Sequence, residues 1–209
     1  MIAAVALAAE IARCAPQAPP RTVAAIVHVE SAGDPLAIGD NTRRASYHPA
    51  TRAAAMRLAH RLLIEGHSLD LGIAQINNAN LSRLGLTLEN VFDPCVNLAA
   101  GARILGENYV LAARRYGAGS EALRHAIGMY NTGELTGGIA YARRVSIAAG
   151  ALDLSVAMRS AEDDVALARR SHILIAWVAA SVSHRRAMPS PQWAPILIPT
   201  RAALRTTSS

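Results

Sequence analysis

Residues 96–117 form a long stretch, VNLAAGARILGENYVLAARRYG, in which apolar side chains recur at helical spacing. One face of the predicted helix carries Leu98, Ala102, Leu105 and Tyr109. Of the 209 residues in the chain, 52% are hydrophobic but only 4% are aromatic, and alanine supplies much of the apolar share. Small side chains favour closely packed helices. The sequence therefore predicts a mainly α fold with little sheet.

Further helices are predicted on both sides of this one. One begins near Pro20 and ends at Glu30 or Ser31, because proline suits the first turn of a helix and glycine and proline follow its end. Residues 67–86 contain glycine and many asparagines, and we expect a loop there. Ser120 is the expected cap of the next helix. Helical patterns also cover residues 51–66, 120–133 and 137–150.

The C-terminal part of the chain differs in character from the rest. We expect residues 1–150 to form one domain and residues 151–209 a tail with a helix and a disordered end. A capping-box pattern at Ser160 and Asp163 predicts where the tail helix begins. Its apolar run, HILIAWVAASV, has 11 residues, whereas a bilayer span needs about 20. We therefore predict no membrane span, and we expect disorder after Pro189.

The formal net charge is +6, and arginine supplies all of the positive side chains because the chain contains no lysine. A basic surface suits nucleic acid, anionic lipid or an anionic cell-wall polymer. The arginines are scattered as short pairs, and no RNP-type or helix-turn-helix signature accompanies them. We therefore expect a solvated basic face and no nucleic-acid partner.

The N-terminus and the cysteines leave the cellular compartment open. Residues 1–16, MIAAVALAAEIARCAP, are a weak signal peptide because no basic residue precedes the apolar run. They suit the first helix of the domain equally well, and the true start can lie upstream. Cys14 and Cys95 have no further ligands at zinc spacing. They are either two buried thiols or one disulfide that closes a loop of about 80 residues.

Glu30 is the candidate acid within residues 26–40, IVHVESAGDPLAIGD. Val23, Ile26 and Val27 precede it at helical spacing, so its carboxyl group is expected beside an apolar stripe. Desolvation and the helix C-terminus both disfavour the anion and raise the pKa, which suits a general acid. The plainer interpretation is an exposed glutamate at a helix end, paired with an arginine. Glu30 taken alone favours that plainer interpretation.

Two other segments supply polar groups of matching chemistry. Residues 72–77, GIAQIN, place a glycine close to Gln75 and Asn77. Their carboxamides donate and accept, which suits the hydroxyl and acetamido groups of a sugar polymer. In residues 129–131, MYN, the Tyr130 hydroxyl can hydrogen-bond a carboxyl group. The plainer interpretations are an ordinary polar loop and a half-buried core tyrosine.

A resemblance to a known family rests on four segments, HVESAGDPLAIG, GHSLDLGIAQIN, FDPCVNLAAGARIL and MYNTG. Together they resemble the lysozyme-like lytic transglycosylases, above all the small transglycosylase subunit of bacterial type IV secretion and conjugation systems. The resemblance covers residues 14–148. It implies a lysozyme-like fold of the soluble lytic transglycosylase type and peptidoglycan glycan strands as the substrate.

The resemblance also assigns roles to single residues. Glu30 matches the family's sole catalytic acid/base, and Ser31 is the polar contact beside it. Gln75 matches the substrate-binding glutamine. Tyr130 and Asn131 match the family's YN motif, in which the tyrosine helps to hold the catalytic glutamate.

The cysteines gain a role from the same resemblance. Cys14 and Cys95 match two family cysteines, which implies a disulfide between them and an oxidising compartment. We take that compartment to be the periplasm, although the export signal is not clear. Met129 departs from the alanine usual before the YN motif. The resemblance implies no metal and no cofactor, and it makes secretion components possible partners of the tail.

The implied reaction cleaves the β-1,4 bond between N-acetylmuramic acid and N-acetylglucosamine and leaves a 1,6-anhydro ring. It would open the cell wall locally for assembly of a type IV secretion system. Two alternatives remain: a hydrolytic muramidase that uses water with Asp34 or Asp40, and a non-catalytic wall-binding scaffold. Asp34 and Asp40 both lie in turn-like contexts, and we predict that they are turn residues.

Overall fold

The computed structural model describes residues 4–151, and the predictions for a helix and a disordered end in residues 152–209 lie outside this range. Within it, helices predominate, which confirms the mainly α class. The helices are α1 (Ala4–Cys14), α2 (Pro20–Ser31), α3 (Arg52–Ile64), α4 (Leu81–Leu84), α5 (Pro94–Tyr116), α6 (Ser120–Thr132) and α7 (Ile139–Ala151). The strands are β1 (Ile38–Asp40), β2 (Ala45–Tyr47), β3 (Leu69–Leu71) and β4 (Ile76–Asn77), and a 3-10 turn occupies Asn78–Asn80.

Two compact units make up the described residues. The first unit comprises residues 4–102 and 145–151, with α1 to α4, the sheet, the beginning of α5 and the end of α7. The second unit comprises residues 103–144, with the rest of α5, all of α6 and the beginning of α7. The predicted domain of residues 1–150 stays a prediction.

Helix α2 begins and ends where the sequence predicts. Pro20 is its first residue, where the missing N–H has no helical partner to lose. The helix ends at Ser31, and Ala32 then adopts a left-handed φ of 52°. The N–H of Ala32 donates to the carbonyl oxygen of His28 at 3.2 Å. This end of the helix places Glu30 in its last turn.

The sheet corrects part of the sequence analysis. The range predicted as a loop, residues 67–86, contains β3, β4, the 3-10 turn and α4. The strands pair antiparallel in the order β2-β1-β3-β4. Leu69 and Leu71 are buried on either side of the half-buried Asp70. The loop prediction is wrong here because strands of two or three residues are too short to show a period of two in the sequence.

Alanine and aliphatic side chains fill the core of the first unit. Ala24 and Ala25 of α2 and Ala55 and Ala59 of α3 have no exposed surface, as expected for closely packed helices. The larger side chains that are fully buried there include Ile11, Val27, Ile38, Leu62, Leu69, Leu71, Ile73, Ile76, Val91, Phe92 and Leu98.

A disulfide joins Cys14 to Cys95, which confirms the pairing that the resemblance implies. Cys14 is the last residue of α1, and Cys95 lies in the first turn of α5. Their Cα atoms are 5.1 Å apart across a sequence separation of 81. The disulfide therefore encloses most of the first unit, from the end of α1 to the beginning of α5.

In the second unit, the prediction that Ser120 caps α6 is wrong. Ser120 is the first helical residue and Gly119 is the cap. Gly119 has a φ of 144°, which residues with a Cβ rarely adopt, so the chain turns into the helix one residue earlier. The N–H of Gly119 donates to the hydroxyl of Tyr109 at 3.1 Å. The rings of Tyr116 and His125 stack with centroids 3.9 Å apart, which holds α6 against α5.

Candidate functional site

Glu30 lies in the last turn of α2 and is half-buried. The apolar stripe expected beside it is present, because Val23, Ile26 and Val27 are buried. Residues three and four positions apart share a helix face. The Glu30 side chain therefore lies at the edge of the buried apolar core of the first unit. Its role as acid/base stays a prediction at this point.

Ser31 ties the end of α2 to the segment that carries Gln75. Its buried hydroxyl donates to the carbonyl oxygen of Ile73 at 2.7 Å. Oγ of Ser31 also accepts the N–H of Gly33 at 3.2 Å. The Ser31 hydroxyl is thus engaged within the protein, and its bonds fix the end of α2 next to Glu30. Direct contact of Ser31 with a substrate stays a prediction.

Gln75 closes a tight turn of residues 72–75 between β3 and β4. Its Nε2 donates to the carbonyl oxygens of Ala37 at 3.1 Å and Gly72 at 2.8 Å. Both amide hydrogens are therefore used, and Oε1 is the atom with acceptor capacity for a ligand. Oε1 faces Gly39, where an added Cβ would lie only 2.8 Å away.

The backbone of Gln75 is strained. Its φ is 49°, a left-handed value that it shares with Ala32 and Arg44 among the described non-glycine residues. Such values are unfavourable for residues with a Cβ and persist where surrounding contacts enforce them, often at functional sites. The strain supports a functional role for the turn that Gln75 closes.

Asn97 is a site-building residue that the sequence analysis missed. It is fully buried in α5. Its Oδ1 accepts the N–H of Ala74 at 2.8 Å, and its Nδ2 donates to the carbonyl oxygens of Leu71 at 2.9 Å and Val91 at 2.7 Å. Asn97 thus holds the turn that carries Gln75. The hint in the sequence is an asparagine, a poor helix former, inside the apolar helix run.

Asn77 is engaged in contacts within the protein. Its Nδ2 donates to Asp70 at 2.8 Å and to the hydroxyl of Ser68 at 3.3 Å. Its Oδ1 accepts the N–H of Ala79 at 3.0 Å and caps the 3-10 turn. These bonds account for the amide group of Asn77, and a sugar contact by the same side chain stays a prediction.

Asp40 is buried and fully committed to internal partners. Its carboxylate accepts the N–H groups of Thr42 and Arg43, both at 3.0 Å, and the Nδ1–H of His67 at 2.8 Å. Burial raises the pKa of Asp40, but the hydrogen bonds from Arg43, His67 and Thr42 together with the charge of His67 outweigh it and lower the pKa. The prediction that Asp40 is a turn residue is confirmed.

Asp34 is also a turn residue, as the sequence predicts. Its Oδ1 accepts the N–H of Leu36 at 2.9 Å, which closes a turn just after α2. Its Oδ2 lies 2.7 Å from Nδ1 of His48. Asp34 and Asp40, the two candidates for the second carboxylate of the hydrolytic alternative, therefore each have a histidine partner.

Tyr130 and Asn131 lie near the end of α6 in the second unit, and both are half-buried. Met129 before them is buried. Helix α6 ends at Thr132, and Gly133 is its left-handed cap. The expected contact of Tyr130 with the catalytic glutamate and the expected substrate contact of Asn131 stay predictions.

Within residues 4–151, no cluster of three or more histidine, cysteine, aspartate or glutamate side chains has the geometry to hold a metal ion. Over the same residues, no helix is both long enough and apolar enough to cross a membrane.

Comparison with known proteins adds a family match. The family described as "Transglycosylase SLT domain" matches residues 8–149. No solved structure matches the chain.

Several curated proteins are also similar. "Protein virB1" of Agrobacterium fabrum is 41% identical over 158 residues, which cover 72% of this chain and 62% of that protein. "Type IV secretion system protein virB1" of Brucella abortus is 42% identical over 127 residues, which cover 60% of this chain and 53% of that protein. The matched region thus spans less than two thirds of the length of these relatives.

Proposed function

Because the chain belongs to the Transglycosylase SLT domain family, we propose that it is a peptidoglycan lytic transglycosylase with Glu30 as its catalytic residue. The substrate is the glycan strand of peptidoglycan. The bond cleaved is the β-1,4 bond between N-acetylmuramic acid and N-acetylglucosamine, and the product carries a 1,6-anhydro ring.

One carboxyl group suffices for this reaction. Protonated Glu30 donates its proton to the glycosidic oxygen as the bond from that oxygen to the muramyl anomeric carbon breaks. The acetamido oxygen of the substrate stabilises the electron-poor anomeric carbon. The Glu30 carboxylate then takes the proton of the muramyl 6-hydroxyl group, whose oxygen bonds to the anomeric carbon. Glu30 returns to its protonated form, and no water is consumed.

The observation that carries the proposal is the hydrogen bond from Ser31 to Ile73, 2.7 Å long. It binds the helix end that bears Glu30 to the strained turn that ends at Gln75. An acid/base on one side and a carboxamide acceptor on the other give a site that can hold a sugar while a proton moves. Asn97 supports the same turn from α5.

The engagement of Asp34 and Asp40 favours the transglycosylase over the hydrolytic alternative. Most hydrolysing glycosidases need a second carboxylate as nucleophile or base. Asp40 is buried with three donors around it, and Asp34 is held by His48 and its own turn. Both carboxylates therefore already accept hydrogen bonds within the protein, which supports a reaction that uses Glu30 alone.

The proposal is tested by digesting purified peptidoglycan and identifying the released muropeptides by mass spectrometry. We expect 1,6-anhydro products from the wild type. Glu30→Gln cannot donate or take the proton, so product release should fall by about 100-fold or more. Asp34→Asn is the matched control and should still release anhydro products.

Two outcomes would contradict the proposal. Reducing ends in place of anhydro ends would establish the hydrolytic muramidase. Full product release by Glu30→Gln would remove Glu30 from the catalytic role.

We extend the proposal to the protein's setting, with the periplasm as its compartment and local opening of the wall for a type IV secretion system as its task. The Brucella abortus relative is named as a type IV secretion system protein. The Cys14–Cys95 disulfide suits an oxidising compartment. Contacts of residues 151–209 with secretion components belong to the same proposal.

The setting is tested by complementing a strain that lacks this gene. We expect secretion to return with the wild type and not with Glu30→Gln. Full secretion with Glu30→Gln would favour the non-catalytic scaffold.

A further inference from the structure

A shallow, open cavity of about 680 Å³ lies on the surface of the first unit, between α3 on one side and β2 with the loop after it on the other. Its size is in the range of small-ligand sites. None of the predicted site residues lines it. The side chains around it include Ser46, Tyr47, His48, Arg57, Leu58 and Arg61.

The notable pair in this lining is Arg57 and Arg61. They are four residues apart on α3, so their Cβ atoms lie about 6 Å apart on one face. Both side chains are exposed, and in the part of the chain that the structure describes neither forms an ion pair. By contrast, Arg43 and Arg103 do pair with glutamates.

An unneutralised arginine pair is unfavourable in the protein alone. Like charges at this spacing repel each other and weaken the helix. A bound dianion would remove that repulsion. Because the guanidinium fork matches the planar carboxylate in two parallel hydrogen bonds, the pair suits a ligand with two carboxylates a few bonds apart. The half-buried Tyr47 adds a ring and a hydroxyl group to the opposite wall.

A hydrogen bond joins the cavity wall to the turn that follows Glu30. Asp34 follows Glu30 by four residues, in the turn after α2. Its carboxylate lies 2.7 Å from Nδ1 of His48 in the cavity wall. Because His48 already has the Asp34 carboxylate as its partner, Arg57 and Arg61 are the lining side chains whose charges are not paired. The bond between Asp34 and His48 also joins the loop after Glu30 to the cavity.

We propose that the Arg57–Arg61 cavity binds the carboxylates of the peptide stem that a glycan strand carries. The proposal rests on the proposed function, because a peptidoglycan stem is a short peptide with dicarboxylic residues and a free C-terminus. A folded protein partner fits less well, since protein interfaces have an apolar centre. Five of the eight lining residues have polar or charged side chains, and Leu58 is the one large aliphatic side chain among the eight.

The test is calorimetric titration of the full chain with the free tetrapeptide L-Ala–γ-D-Glu–meso-diaminopimelate–D-Ala at low salt. We expect binding by the wild type. Arg57→Gln together with Arg61→Gln should weaken binding by about tenfold or more, because two charge-assisted bidentate contacts are lost. Arg57→Lys together with Arg61→Lys keeps the charge but loses the forked guanidinium group, and it should weaken binding by a smaller factor.

The matched control removes two exposed arginines elsewhere, Arg114→Gln together with Arg143→Gln, and should bind like the wild type. Binding as tight as that of the wild type by Arg57→Gln together with Arg61→Gln, with a native circular dichroism spectrum, would overturn the proposal. So would equally tight, arginine-dependent binding of an unrelated L-peptide of the same charge. Tetrapeptide binding by a chain that releases no anhydro products would refute the catalytic proposal and support this site.

Discussion

Asp40 shows how the first unit keeps one buried carboxylate as an anion. Removal from water disfavours the charge, and three hydrogen bonds from Thr42, Arg43 and His67 offset that penalty. The network continues outward, because Nε2 of His67 lies 3.7 Å from Glu65, and Glu65 pairs with Arg43 at 3.1 Å. A single side chain therefore joins the turn after β1 to the segment after α3.

Asp40→Asn should destabilise the protein at neutral pH by about 2 kcal/mol, because the charged hydrogen bond to His67 is lost. The folded-state pKa of Asp40 is lowered, so its stabilisation is complete above the unfolded pKa of about 3.9. It is lost as the pH falls through the lower folded-state pKa. In thermal unfolding between pH 5 and pH 2, the stability of the wild type should approach that of Asp40→Asn as the pH falls. Parallel pH profiles would contradict this role.

At the scale of elements, the turn of residues 72–75 is the part on which the candidate site depends. The N–H of Gly72 and the side chain of Gln75 both donate to the carbonyl oxygen of Ala37. Ser31 holds the turn from α2 and Asn97 holds it from α5. Three separate segments, namely the one that contains Ala37, helix α2 and helix α5, thus enforce a backbone that Gln75 would not adopt alone.

Gly72→Ala should destabilise the first unit by about 2–4 kcal/mol, through left-handed strain plus overpacking. Gly72 has a φ of 76°, and an added Cβ would lie 2.4 Å from Nδ2 of Asn97 and 2.9 Å from the carbonyl oxygen of Val91. Gly66→Ala is the matched control. Gly66 has a φ of 82° but its surroundings are open, so Gly66→Ala should lower the free energy of unfolding by only about 1 kcal/mol. Urea unfolding measures both, and equal losses would show that Asn97 does not brace the turn.

At the scale of the molecule, the Cys14–Cys95 disulfide is the covalent constraint on the first unit. It joins the end of α1 to the beginning of α5, and the sheet and the turn with Gln75 lie in the loop that it closes. The constraint acts mainly on the unfolded chain, whose freedom it reduces.

Cys14→Ser together with Cys95→Ser should lower the free energy of unfolding by about 4 kcal/mol, given the long loop. Urea unfolding of the wild type with and without dithiothreitol supplies the comparison. The reductant should lower the free energy of unfolding of the wild type to that of the double variant, and it should leave the value of the double variant unchanged. No loss on reduction would show that the bond contributes nothing to stability.

The longer helices could be predicted from the sequence because their pattern is local, whereas the four-residue helix α4 lies in the range predicted as a loop. The run of residues 96–117 corresponds to α5, and Leu98, Ala102, Leu105 and Tyr109 are all buried. The short strands could not be predicted, since β4 has only two residues. The motif of Glu30 and Gln75 was visible as a resemblance, whereas Asn97 became part of the site only through its three bonds to distant backbone groups.

The sequence predicts the longer helices α2, α3, α5, α6 and α7 and the position of Glu30 at a helix end, because helical hydrogen bonds join residues only four positions apart. The family motifs can also be read from it. Which polar groups are already engaged depends on how the chain folds in three dimensions. Asp40 meets His67 across 27 residues, Gln75 meets Ala37 across 38, and Ser31 meets Ile73 across 42. Partners at such separations are set by how the chain packs, and no local pattern of residues records them.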